Sequence, residues 1–131
     1  MKPSDFQFKN PYLEELSFEE NKDFDIKTSK VQIDNKFTVF TNKEKEENEA
    51  LVSLLLEVNM GAEAAPFKLR IKMTAEFTWN KNIDSKLADS LLQQNAPALL
   101  LGYMRPIVAA VTNSSKYPVY NLPFMNFVEN S

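Results

Sequence analysis

The chain has 131 residues, a formal net charge of −3, two glycines, and neither cysteine nor histidine. One domain of this length buries roughly two-thirds of its unfolded surface, enough to support its own core. The two missing residue types exclude disulfides, thiolate or imidazole metal sites and the commonest general base. Gly61 and Gly102 cannot build a phosphate-cradling loop, and a mildly acidic chain does not suit nucleic acid.

Taken in chain order, Met1 to Phe6 carries no apolar run and no cleavage site, so no signal peptide is read. The first strand is predicted in Glu14 to Glu19, where Leu16 and Phe18 alternate with Glu15, Ser17 and Glu19. Glu20 to Ser29 is a polar connection with Phe24 and Ile26 embedded in it. A second strand is predicted in Lys30 to Thr41, with Val31, Ile33, Phe37 and Val39 on one parity. Asn42 to Glu49 is a charge run, read as a solvated hairpin loop. The third strand, Leu51 to Met60, places Val52, Leu54, Leu56, Val58 and Met60 on one face and Leu51 and Leu55 on the other. Gly61 to Pro66 reads as a turn.

Phe67 to Trp79 is the clearest element. Seven apolar residues alternate with Lys68, Arg70, Lys72, Thr74, Glu76 and Thr78, so one face is buried and one is wet, as in an antiparallel sheet. Past Trp79 the period changes. Asp84 or Ser85 is placed to cap a helix over Lys86 to Gln94, and Asn95 to cap a second, nearly all-apolar stretch to about Thr112. Pro106 is predicted to kink or divide it. The most apolar run, Ala96 to Val111, is shorter than the ~20 residues of a membrane span and contains Arg105. Pro118 and Pro123 make the tail extended. Four strands, then helices, then a tail form a single α+β domain over residues 1–131, with helices covering one sheet face.

Catalytic chemistry finds little footing. A serine nucleophile has no histidine partner, and no Ser-x-x-Lys motif with supporting residues opens a helix. The charge run lacks the spacing of a calcium loop, and no metal or cofactor is called for. What remains is surface for binding. Of ten phenylalanines, four tyrosines and one tryptophan, several lie in the connection and tail, at Phe24, Tyr117, Tyr120 and Phe124. Such residues either close the core or line a groove for apolar segments of other chains. A small-ligand module, with a lipid-sized pocket under the helix, is a further reading.

The tail carries a resemblance. Ala96-Pro97-Ala98-Leu99-Leu100-Leu101-Gly102-Tyr103-Met104-Arg105 is similar to the helix-opening motif of the SecB family of export chaperones, Cys-Pro-x-x-Leu-Phe-Pro-Tyr-Ala-Arg-Glu. Tyr117-Pro118-Val119-Tyr120-Asn121-Leu122-Pro123-Phe124-Met125-Asn126-Phe127 resembles the family's Phe-Pro-x-Leu-Asn-Leu-x-Pro-x-Asn-Phe. Phe6-Gln7-Phe8 and Leu16-Ser17-Phe18-Glu19 match its Phe-Gln-Ile and Ile-Ser-Phe-Glu at the same spacing.

The resemblance implies a four-stranded antiparallel sheet, a long crossover after the first strand and a long helix, broken here at Pro106. It implies a cytoplasmic homotetramer, a dimer of dimers, that holds unfolded or pre-export polypeptides in apolar grooves without ATP or catalysis. Client contacts are then expected at Phe24, Ile26, Tyr103, Tyr117, Tyr120 and Phe124. The family docks the export motor SecA through acidic residues on the exposed sheet face, of which Glu15 and Glu19 are the matching positions. Lys68 and Arg70 stand where the last strand carries Leu-x-Glu, and a positive charge there weakens docking to a basic partner. Gly102 and Pro106 depart from the helix motif, Thr74 and Ala75 replace a glycine pair, and the family's terminal helix has no counterpart past Phe127. Weak or absent SecA binding is therefore expected, and the alternative is a SecB-like adaptor for one dedicated partner such as an antitoxin.

Overall fold

The computed structural model describes residues 1–25, 33–43, 48–62 and 64–128. Strands β1 (Phe6–Glu20), β2 (Asn35–Lys43), β3 (Glu49–Val58) and β4 (Phe67–Trp79) precede one helix, α1 (Ser85–Asn113). They form an antiparallel sheet in the order β1-β4-β3-β2. The first two strands therefore lie on opposite edges of the sheet.

β4 occupies the predicted span, Phe67 to Trp79, and its odd-numbered side chains are all buried. β3 begins earlier and ends earlier than its alternation suggests. Asn59 takes φ 58°, in the left-handed region, and turns the chain out of the strand before Met60. Asn42, Lys43 and Glu49, read as loop, belong to strands; residues 44–47 lie outside the described residues. β2 starts at Asn35, after the predicted start, and Ile26 and Val31 are outside the described residues.

β1 is more than twice its predicted length, because two register shifts interrupt its alternation. They fall between Lys9 and Tyr12, where Asn10 has φ 55°, and between Leu13 and Glu15. Each inserts one extra residue on β1 and so exchanges the two faces. Phe6 and Phe8, then Leu13, then Leu16 and Phe18 consequently pair with the core-facing positions of β4.

The two helices expected from Asn95 and Pro106 are one continuous element. Asp84 is its N-cap, with Oδ1 accepting from Leu87 N–H at 2.8 Å. Ala88, Leu92, Ala96, Leu100, Met104, Val108 and Thr112 are buried along a row that passes both prolines without interruption. Packing of that row on the sheet overrides the local penalty of Pro97 and Pro106. A row at four-residue spacing advances about 40° per step around a 3.6-residue helix. Apolar residues therefore appear on every side in sequence, while only one side is buried at any level.

The core fills the space between α1 and the inner face of the sheet. A C-terminal strap completes it, inserting Tyr117, Leu122 and Phe127. Thr112 fastens the strap, its Oγ1 accepting from Tyr120 N–H at 2.8 Å.

Candidate functional site

The aromatic candidates are distributed by the elements that carry them. Phe24, just past β1, meets Tyr117 edge-on at 6.0 Å; Tyr117 lies 6.5 Å from Phe67, and Phe67 stacks on Phe18 at 5.3 Å. This chain of rings leads from the crossover to the end of β1. Beside it opens a shallow cleft of about 410 Å³ lined by Phe18, Ala110, Val111, Ser114 and Ser115. β1 and the last turn of α1 supply its walls, and its surface is predominantly apolar.

Of the six predicted contact residues, Phe24 and Tyr117 touch each other. Tyr117 is buried and belongs to the core, whereas Phe24 is half-buried. Tyr120 is half-buried at the opposite edge, its hydroxyl hydrogen-bonded to the Asn35 side-chain amide of β2. Tyr103 projects from α1 toward β1, meets Phe8 edge-on at 6.1 Å and remains 41% exposed. Phe124 is 91% exposed, with the Arg105 guanidinium 4.4 Å from its ring centroid. Ile26 lies outside the described residues.

The sheet face turned away from α1 carries the charged candidates. Glu15 accepts from Arg70 Nε at 2.8 Å, and Arg70 Nη1 donates to Glu57 at 3.0 Å. The bond from Glu15, with Glu57 beyond it, holds the Arg70 guanidinium above its ordinary pKa. Glu14, the extra residue of the second bulge, accepts from Lys72 at 3.1 Å and from Thr74 Oγ1 at 3.0 Å. Those bonds, that from Lys72 foremost, hold its carboxyl below the ordinary value of 4.5. Glu19 is paired in register with Lys68, and the two line a polar depression of about 380 Å³ with Glu20, Asn21 and Lys22. Glu20 itself reaches Lys116 at 2.7 Å, which raises the lysine pKa. The face is thus a lattice of paired charges, with no uninterrupted negative patch around Glu15.

Several surface residues escape sequence reasoning. Tyr12 and Phe40 are exposed on the outer face, beside Leu51, which the alternation of β3 places there. Phe40 was visible as the off-parity aromatic of β2; Tyr12 was hidden by the bulges. On α1, Ala98, Gly102, Pro106 and Ala110 form an exposed row of small residues at four-residue spacing. Among the described residues no cluster of three acidic side chains is positioned to hold a metal ion, and no helix is long and apolar enough to cross a membrane.

A family model described as SecB, preprotein translocase subunit SecB, matches residues 1–129. No curated protein matches the chain. Among solved structures, the SecB-like chaperone Rv1957 of Mycobacterium tuberculosis, in complex with a ChAD peptide from the HigA1 antitoxin, is similar at TM-score 0.72. The identity is 12%, over 93% of this chain and 88% of that one. A protein of unknown function from Streptococcus agalactiae is similar at TM-score 0.55 and 12% identity, over 94% of this chain and all of the other. At such identities the likeness is one of fold, and the fold is the α+β arrangement that the sequence motifs imply.

Proposed function

We propose, since this chain belongs to the SecB family, that it is a holding chaperone for unfolded or pre-export polypeptides, working without ATP and without catalysis. The observation that carries the reading is the family match over residues 1–129. The apolar cleft beside Phe18 and Val111, with the ring chain leading to Phe24, supplies a surface suited to extended apolar segments. Broad apolar contact is what offsets the entropy an unfolded client gives up on binding. Phe24, Ile26, Tyr103, Tyr120 and Phe124 are the proposed client residues; Tyr117, expected among them, is buried and backs Phe24 from within the core. The protein is expected to suppress aggregation of several unrelated denatured proteins at stoichiometric amounts in the absence of nucleotide. Failure with all of them would refute the proposal.

We further propose that the protein is cytoplasmic and acts as a homotetramer. The exposed small-residue row of α1 lets a second helix approach closely, and Leu13, Leu16 and Leu87 add exposed apolar surface. Dedicated service to one partner, such as an antitoxin, is the second reading. It is favoured by the similar fold of a chaperone that binds an antitoxin peptide. The neutralised outer face supports it too, since Glu15 is already engaged by Arg70 and SecA docking is then weak or absent. Isolation from the native host distinguishes the two: one stoichiometric companion favours the adaptor, many substoichiometric ones the general chaperone.

A further inference from the structure

We infer that Arg105 is a positioning residue that holds the exposed Phe124 ring as a fixed apolar anchor for an extended apolar polypeptide. The inference rests on the holding function proposed above and assigns a role to a residue outside its set of contacts.

A phenylalanine that is 91% exposed normally turns onto the nearest apolar surface, because leaving the ring in water is unfavourable. Here the ring stands out and is held there. The Arg105 guanidinium lies 4.4 Å from its centroid. The same group donates from Nη2 to the carbonyl of Pro123 at 2.8 Å and from Nε to that of Leu122 at 3.3 Å. One planar fork thereby fixes the two peptide units before Phe124 and stacks on the ring that follows. Pro123 restricts its own φ, and Leu122 is buried in the core, so the strap enters the anchor without freedom. Arg105 is itself set on a firm base, between the buried Met104 and Val108 of α1.

An aromatic group already immobilised before contact gives up little entropy when a partner arrives. The cation covers one side of the ring and leaves the rest open. That open surface accepts Phe, Leu or Tyr side chains, while the adjacent positive charge disfavours Lys or Arg beside them. The occupant is therefore an apolar segment of an unfolded chain that is neutral or acidic around its apolar residues.

The test is fluorescence anisotropy with a labelled, unstructured peptide rich in Phe and Leu and free of Lys and Arg. Phe124→Ala and Arg105→Gln should each weaken binding about tenfold, the scale of one well-placed aromatic anchor. The double variant should bind no more weakly than Phe124→Ala alone, and Arg105→Lys should not restore affinity, since an ammonium cannot fork and stack together. Thermal unfolding of Phe124→Ala should match that of the parent chain. Unchanged affinity in Phe124→Ala would overturn the inference and leave the holding function standing. So would a full further loss from Arg105→Gln in the Phe124→Ala background, or a changed oligomeric state at unchanged affinity. A parent chain that binds no such peptide would overturn the inference, while the holding function stands or falls on aggregation suppression.

Discussion

At Asn59 one residue ties three parts of the chain together. Its backbone N–H and side-chain Oδ1 both bond to Asp34, its Nδ2 donates to the Phe67 carbonyl at 3.0 Å, and its own carbonyl accepts from Ala62. It is 1% exposed and left-handed, so alanine there forfeits two side-chain bonds, one of them buried, and strains the backbone. Asn59→Ala should cost about 3 kcal/mol in urea unfolding, and Asn59→Gly should recover about 1 kcal/mol of that by relieving the backbone. Glu14 makes a pH prediction. Its folded pKa lies below the ordinary 4.5, so its contribution is complete above that value and is lost as pH falls through the folded pKa. Glu14→Gln should therefore lower stability slightly near neutrality and converge on the parent chain at acid pH, which flattens the acid limb of the profile. The effect is small because the group is solvent-exposed. Neither role was legible in the sequence: Asn59 lies inside the predicted strand Leu51 to Met60, and Glu14 only opens the predicted first strand, on the parity of Leu16 and Phe18.

Among the elements, β4 was legible to the residue because it is central, unbulged and wet on one side only. β1 was legible only after its second bulge, since each extra residue reverses parity and Phe6, Phe8, Leu13 and Leu16 no longer share one. The helix has no break at Asn95 and is not divided at Pro106 for the opposite reason: local signals were clear, and tertiary packing overrode them. The chain of rings from Phe24 to Phe18 draws its members from distant elements, which periodicity does not report. Pro106 is exposed and withholds a hydrogen bond from the Gly102 carbonyl, so Pro106→Ala should raise stability by about 1–3 kcal/mol in thermal unfolding. A Cβ at Gly102 meets nothing within 4 Å, and Gly102→Ala should add about 0.5–1 kcal/mol to the stability of the dissociated chain.

For the whole molecule, the same helix surface answers a different question. If copies assemble across the row Ala98, Gly102, Pro106 and Ala110, a long charged side chain at its centre should separate them. Gly102→Arg is expected to leave the circular dichroism of the chain intact and lower its mass in light scattering. An unchanged mass would place the interface elsewhere. The strand order has a last consequence, for synthesis. β1 leaves the ribosome first but its only partner among the described strands is β4, which is made after β2 and β3. The β2–β3–β4 meander pairs strands adjacent in sequence, whereas β1 must wait, its Phe6, Phe8, Leu16 and Phe18 unpaired. During that interval this proposed keeper of unfolded chains is itself a nascent chain with an open apolar strand, and its own early life makes the demand that it is proposed to meet for others.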